Sequence, residues 1–367
     1  MTSSIGSKRP SSNSETSDST KRRVSNIWDD VTLTHLNVKA LYQYIKSRGD
    51  VTQSSNEGYG LLYLAAHNKS LEALRMLLLQ PGIEINMTNG PHHELPIHVA
   101  CAHGHSEAVE ILIENGSVVD AIDELGHTPL MNAVFSGSEE CIKMILDQGV
   151  DPTTVDNEGN SLLHLIASSN TVNAVPLLVK RGIPLDGHNA RGLSPLAIAI
   201  SFGHVETALG LIEAGADVNG RTRLGTVLHY AVTWNRLDVT QKLVEGKCEV
   251  QVLNAMEETP LYVAVQQRKI DLVQYLIEQG KADPCFPNNA NISLLYAANH
   301  GYTEICKFLL SPNTSPYFIQ TAAKMSASGG HFLTEKFLQE KYEEFIKEKD
   351  NDDVAFDSLI NTFSDEE

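Results

Sequence analysis

The chain has 367 residues, 42% of them hydrophobic and 20% charged, and a formal net charge of −18. That acidity excludes a folded body that binds nucleic acid through its phosphates. The absence of any run of 18 apolar residues gives no reason to expect a membrane span. Five scattered cysteines, Cys101, Cys141, Cys248, Cys285 and Cys306, suggest no disulfide framework and fit a reducing, intracellular setting.

Residues 1–26 are rich in Ser, Thr and Asn and lack an apolar signal core, so a disordered basic tail is expected. Its clusters Lys8-Arg9 and Lys21-Arg22-Arg23 are spaced like a bipartite nuclear import signal. The alternative is a tail that only solubilises. Ser25 follows the second cluster and is a candidate phosphorylation site. A phosphate there would add about two negative charges beside the basic residues.

Residues 27–55 contain one helical pattern, Val38 to Ile45, closed by Gly49-Asp50-Val51. They predict an N-terminal capping half-repeat. From there a stretch of the type Thr-Pro-Leu-His recurs. Its third position falls at Leu62, Ile97, Leu130, Leu163, Leu196, Leu228, Leu261 and Leu294. A period near 33 residues held this long predicts a solenoid of stacked helix pairs over 56–312. Within a unit, Thr or Ser caps the first helix (Thr128, Ser161, Ser194, Thr226, Thr259). Pro96, Pro129, Pro195 and Pro260 occupy the first helical position, where no amide donor is needed. A Gly-His corner reverses the chain into a second amphipathic helix. Gly116, Gly149, Gly182, Gly215, Gly246 and Gly280 then mark its end.

These residues resemble the ankyrin repeat family over roughly 55–340. The resemblance implies an all-α solenoid of about eight helix-pair units, with degenerate capping units at both ends. It also implies protein partners held on the concave face and the turn tips. Three departures stand out: Pro176 inside a second helix, Ile166 where other units have Ala, and a turn one residue short at Gly225-Thr226. Each is either tolerated drift or a local change of curvature. The resemblance further marks Asn86 and Asn219 as candidate hydroxylation sites; the alternative is that each simply caps its turn.

Residues 313–346 read as a C-terminal capping repeat, and 347–367 as an acidic tail. In the tail Phe356, Leu359, Ile360 and Phe363 fall at i, i+3, i+4 and i+7, one apolar helical face suited to a groove. It serves either as a recruitment segment or as a final cap lying back on the stack. Trp28 has a similar aromatic-acidic context, with a cap role favoured.

Chemistry is sparse. His92, His93, His98, Cys101, His103 and His105 crowd together in a way that suggests zinc. Yet His98, His164 and His229 hold the repeat's own histidine position, which the resemblance makes structural. No phosphate loop or nucleophile triad is present, so neither catalysis nor a cofactor or metal is expected. The positions that the repeat leaves free carry large apolar groups: Phe135, Phe202 and Trp234 on the first helices, and Leu125, Leu193, Leu224 and Met256 at turn tips. Clustered apolar residues at solvent-facing sites mark an interface. They predict a concave stripe centred on Phe202 and Trp234, unless the rings tuck against neighbouring helices. The reading is a monomeric, non-enzymatic adaptor of the cytoplasm and/or nucleus. The alternative is a nuclear transcriptional co-regulator that uses the import signal and the acidic tail.

Overall fold

The computed structural model describes residues 27–29, 31–32, 35–223, 225–287 and 291–347. The basic clusters, Ser25, Leu224 and the tail face from Phe356 to Phe363 lie outside these residues.

The N-terminal segment pairs β1 (Val31–Thr32) with β2 (His35–Leu36), then forms α1 (Val38–Lys46). Ile27 and Leu41 are buried, and Trp28 packs against the same core. Eight helix pairs follow. They are α2 (Leu61–His67) with α3 (Leu71–Leu78), α4 (Pro96–Ala102) with α5 (Ser106–Glu114), and α6 (Pro129–Ser136) with α7 (Glu139–Asp147). Next come α8 (Leu162–Ser169) with α9 (Val175–Lys180), α10 (Pro195–Phe202) with α11 (Val205–Glu213), and α12 (Val227–Thr233) with α13 (Leu237–Glu245). The last two are α14 (Pro260–Gln266) with α15 (Ile270–Glu278), and α16 (Ile292–Asn299) with α17 (Thr303–Leu309). A ninth pair, α18 (Pro316–Ser328) and α19 (332–347), is the last among the described residues.

Inner helices pack on inner helices and outer on outer, so the core is a continuous ribbon along the stack. The small residue three places after each repeat leucine makes this approach close. Ala65, Ala100, Ala133, Ala199, Ala231, Ala264 and Ala297 are all fully buried. Ile166 takes that place in unit four and is buried just as completely, so its extra bulk is absorbed inside the stack.

The corner between the two helices is left-handed in every pair, with φ between 51° and 80°. Glycine holds it at five of the nine corners, but Lys69, Asn170, Asn235 and Arg268 hold the others. The geometry is dictated by the tight reversal, and the residue type follows only where it can.

Three sequence expectations are refined. Pro176 does not bend a continuous helix. The outer segment of unit four starts as a 3-10 turn, Val172–Ala174, and α9 begins at Val175 with Pro176 in its first turn. There the missing N–H is harmless. The residue missing at Gly225-Thr226 is absorbed by a short antiparallel pairing of β3 (Arg221–Thr222) with β4 (Gly225–Thr226). Gly246 and Gly280 are not the left-handed helix ends; Lys247 and Lys281 are, one residue later. At Gly280 a side chain would sit 2.7 Å from the Leu276 carbonyl oxygen, which explains the glycine by close approach instead.

Candidate functional site

Three inner helices are held at their start by a side-chain cap. Thr128, Ser194 and Thr259 accept from the amides of Met131, Ala197 and Tyr262 at 3.3, 3.3 and 3.0 Å. In units two, four and six a histidine takes over part of that work. His164 Nδ1 accepts from the Ser161 amide at 3.1 Å, and its Nε2 lies 3.0 Å from the Leu193 carbonyl oxygen. His98 joins the Leu95 amide to the Ala121 carbonyl, and His229 joins the Thr226 amide to the Glu258 carbonyl, in the same way. A ring that accepts at Nδ1 and donates at Nε2 is neutral. Burial, set against the favourable carbonyl bonds, holds the pKa of all three below the ordinary value.

The corner histidines are structural too. His105, His204 and His331 bond the carbonyls of Ala66, Ala167 and Asn299, each on the preceding unit. His103 stands between the rings of His67 and His105, with centroids 4.5 and 5.5 Å away. Among the described residues no group of three or more His, Cys, Asp or Glu is placed to hold a metal ion. The five cysteines are buried thiols. Burial raises the pKa of Cys248 to about 11 and of Cys306 to about 12.

The turns that lead into the inner helices are built on one acceptor each, a device the sequence reading did not single out. Asp123 Oδ1 accepts from the amides of Leu125 and His127, Asp156 Oδ1 from Glu158 and Asn160, and Asn189 Oδ1 from Arg191 and Leu193. Asn254 repeats this for Met256 and Glu258. The signal was an Asp or Asn five residues before the caps Thr128, Ser161, Ser194 and Thr259.

These turns and the inner helices enclose a groove of about 360 Å³ across units three to five. Phe135 and Phe202 stand on its sides, with Leu165, Leu193 and Ile198 between them. Its lining also holds the buried Asp156 and an exposed ion pair, Arg191 Nη2 to Glu158 Oε2 at 2.6 Å. The Phe135 ring meets His127 edge-on at 5.5 Å, and Phe202 stacks on His204 at 5.8 Å.

The predicted stripe is therefore brought together in part. Phe135, Leu193 and Phe202 share the groove. Trp234 sits one unit further on at the end of α12, outside that lining. Phe202 and Trp234 remain 62% and 48% exposed, so neither ring is tucked into the core. Leu125 and Met256 are exposed at their turn tips. Leu193 differs from expectation: it is half-buried and packs on the core, because its carbonyl is drawn in to His164. Asn86 and Asn219 each tie two turns together, accepting from the amides of Val118 at 2.9 Å and Glu249 at 2.7 Å.

A family model described as ankyrin repeats matches residues 62–156, 145–222 and 228–320. The chain is 31% identical over 104 residues to the ankyrin repeat-containing protein P1E11.10 of Schizosaccharomyces pombe, covering 28% of this chain and 47% of that protein. It is also 31% identical over 93 residues to the ankyrin repeat protein FPV024 of fowlpox virus, covering 25% and 16%. The matches thus span less than half of each of these relatives. The crystal structure of the human ASB11 ankyrin repeat domain superposes with a TM-score of 0.51 at 27% identity, covering 55% of this chain and 90% of that one. Repeats of this kind generally mediate protein–protein interaction. The chain belongs to the ankyrin repeat family.

Proposed function

We propose that this protein is a non-enzymatic adaptor whose concave groove across units three to five receives a segment of a partner protein. The observation behind this is the pair Phe135 and Phe202, two exposed phenyl rings that line one cleft together with Leu165, Leu193 and Ile198 and the charged groups Glu158 and Arg191. Exposed aromatic side chains at the centre of a concave surface are frequent binding anchors. Affinity capture followed by mass spectrometry, run with the wild type and with Phe135→Ala/Phe202→Ala, tests the reading. Partners lost in the double variant, with thermal melting unchanged, support it. A partner set that survives the substitutions rejects this groove.

The basic clusters Lys8-Arg9 and Lys21-Arg22-Arg23 favour a second reading, in which the adaptor works in the nucleus. Replacing Lys21, Arg22 and Arg23 with alanine and following the distribution of the tagged chain tests it. A distribution that does not change removes the nuclear reading.

A further inference from the structure

A solenoid needs a polar outer face on its last unit, since no further unit covers it. Here the terminal helix α19 breaks that rule. Phe332 and Leu333 near its start are 76% and 81% exposed, and Ile346 near its end is also exposed. Between α17 and α19 runs an open groove of about 630 Å³, walled by Leu310, Pro312, Phe337 and Phe345. A second hollow of about 460 Å³ adjoins it through the shared residues Lys307 and Phe337 and extends the apolar lining to Ile270 and Leu333. A channel of mixed apolar and charged lining therefore runs along the last three units, from Ile270 to Phe345.

We propose that the occupant of this channel is the chain's own C-terminal segment. Phe356, Leu359, Ile360 and Phe363 would seat in it as one helical face. Three observations support this occupant over others. The first is connectivity: residue 347 is the last described residue of α19, and Glu344 and Phe345, one turn earlier, already line the groove. Eight residues lie between Lys347 and Phe356, and the nine steps from one to the other span up to about 30 Å, ample to turn back. The second is shape: an i, i+3, i+4, i+7 apolar face is what a groove between two helices accepts. The third is charge. Residues 348–367 hold eight acids against one lysine. The channel is lined by three cations, Arg268, Lys307 and Lys341, against Glu304 and Glu344. Lys307 pairs with Glu304 at 2.7 Å and Lys341 with Glu344, but these are exposed pairs within one helix and yield readily to a second carboxylate.

Zero-length carbodiimide cross-linking of the full chain at low micromolar concentration tests this, because it joins a lysine only to a carboxylate in contact with it. An equimolar mixture of ¹⁵N-labelled and unlabelled chains separates cis from trans contacts. Links from Lys307 or Lys341 to Asp352, Asp353 or Asp357 should appear within one isotope class. They should disappear in Phe356→Ala/Phe363→Ala, whose substitutions lie outside the solenoid. Amide exchange over 354–363 should be at least about tenfold slower in the wild type than in that variant. Links between isotope classes would make the occupant a second copy and overturn the proposal. Absence of tail links, or exchange equal in the two proteins, would overturn it as well. So would a foreign acidic peptide that binds the wild-type chain as tightly as the double variant, since that would show the channel open.

Discussion

His164 reaches from the first turn of α8 to the carbonyl of Leu193, in the turn that opens the next unit, at 3.0 Å. The bond couples the start of one helix pair to the geometry of the following one. It also sets the charge state of the ring, because a neutral imidazole is needed to accept from Ser161 and donate to Leu193 at once.

Stability should therefore depend on pH in a definite direction. Burial lowers the pKa of His98, His164 and His229, and of His67 and His103, below 6.5 in the folded chain. The unfolded chain takes up these protons first. Stability is whole above about pH 6.5 and falls as the pH drops from there toward the lowered folded values. Urea midpoints measured from pH 7.5 to 5.0 should decline. A flat profile would mean that these rings are not held neutral.

Replacing one of these histidines with alanine should cost about 1–3 kcal/mol, since two buried or part-buried backbone groups lose their partner. His164→Ala and His229→Ala should behave alike in denaturant titration. A cost confined to one of them would show that the other bond is dispensable.

The corner residue Lys69 is exposed and left-handed, with φ of 51°. A non-glycine residue in that region is strained by about 1–2 kcal/mol. Lys69→Gly should raise the melting temperature, partly offset by the greater freedom of glycine in the unfolded chain. A lower melting temperature would show that the lysine side chain contributes more than the strain it carries.

Ile166→Ala should cost about 2–5 kcal/mol, because a fully buried side chain would leave a cavity. Ala199→Ile, the reverse change at the equivalent place in the next unit, should destabilise by about 1–3 kcal/mol through overpacking. Thermal unfolding of both variants shows whether unit four is built around its isoleucine. If Ile166→Ala were neutral, its packing would be incidental.

Phe202→Ala/Trp234→Ala should leave the melting transition within about 0.5 kcal/mol of the wild type, as expected for exposed residues. A larger loss would move the rings from the docking surface into the structural frame.

The repeat was legible because its signals are local: a cap, a proline, a leucine period and a turn all lie within one unit. The histidines at 98, 164 and 229 were placed correctly for the same reason. What was less legible depends on neighbouring units. The left-handed corner at Lys69 or Arg268 carries no residue signature, since the tight reversal imposes it. Leu193 looked like a free tip, and only the position of His164 explains its burial. Phe135 and Phe202 are 67 residues apart, and only the pitch of the stack sets them on one cleft. The start of the ninth pair was obscured because Ser315 caps α18 without a side-chain bond, and α18 has 13 residues where earlier inner helices have seven or eight.

The histidine ties at His98, His164 and His229 fall on every second junction: two to three, four to five, and six to seven. The stack thus carries a neutral-histidine tie at alternate junctions, while other bonds, such as His105 to Ala66 and Asn157 to Glu124, join the junctions between. Under acid, the joints that rest on these three neutral rings weaken. The distance over which one unit senses the unfolding of another should then shorten, and a single sharp melt at neutral pH should broaden into a gradual unzipping.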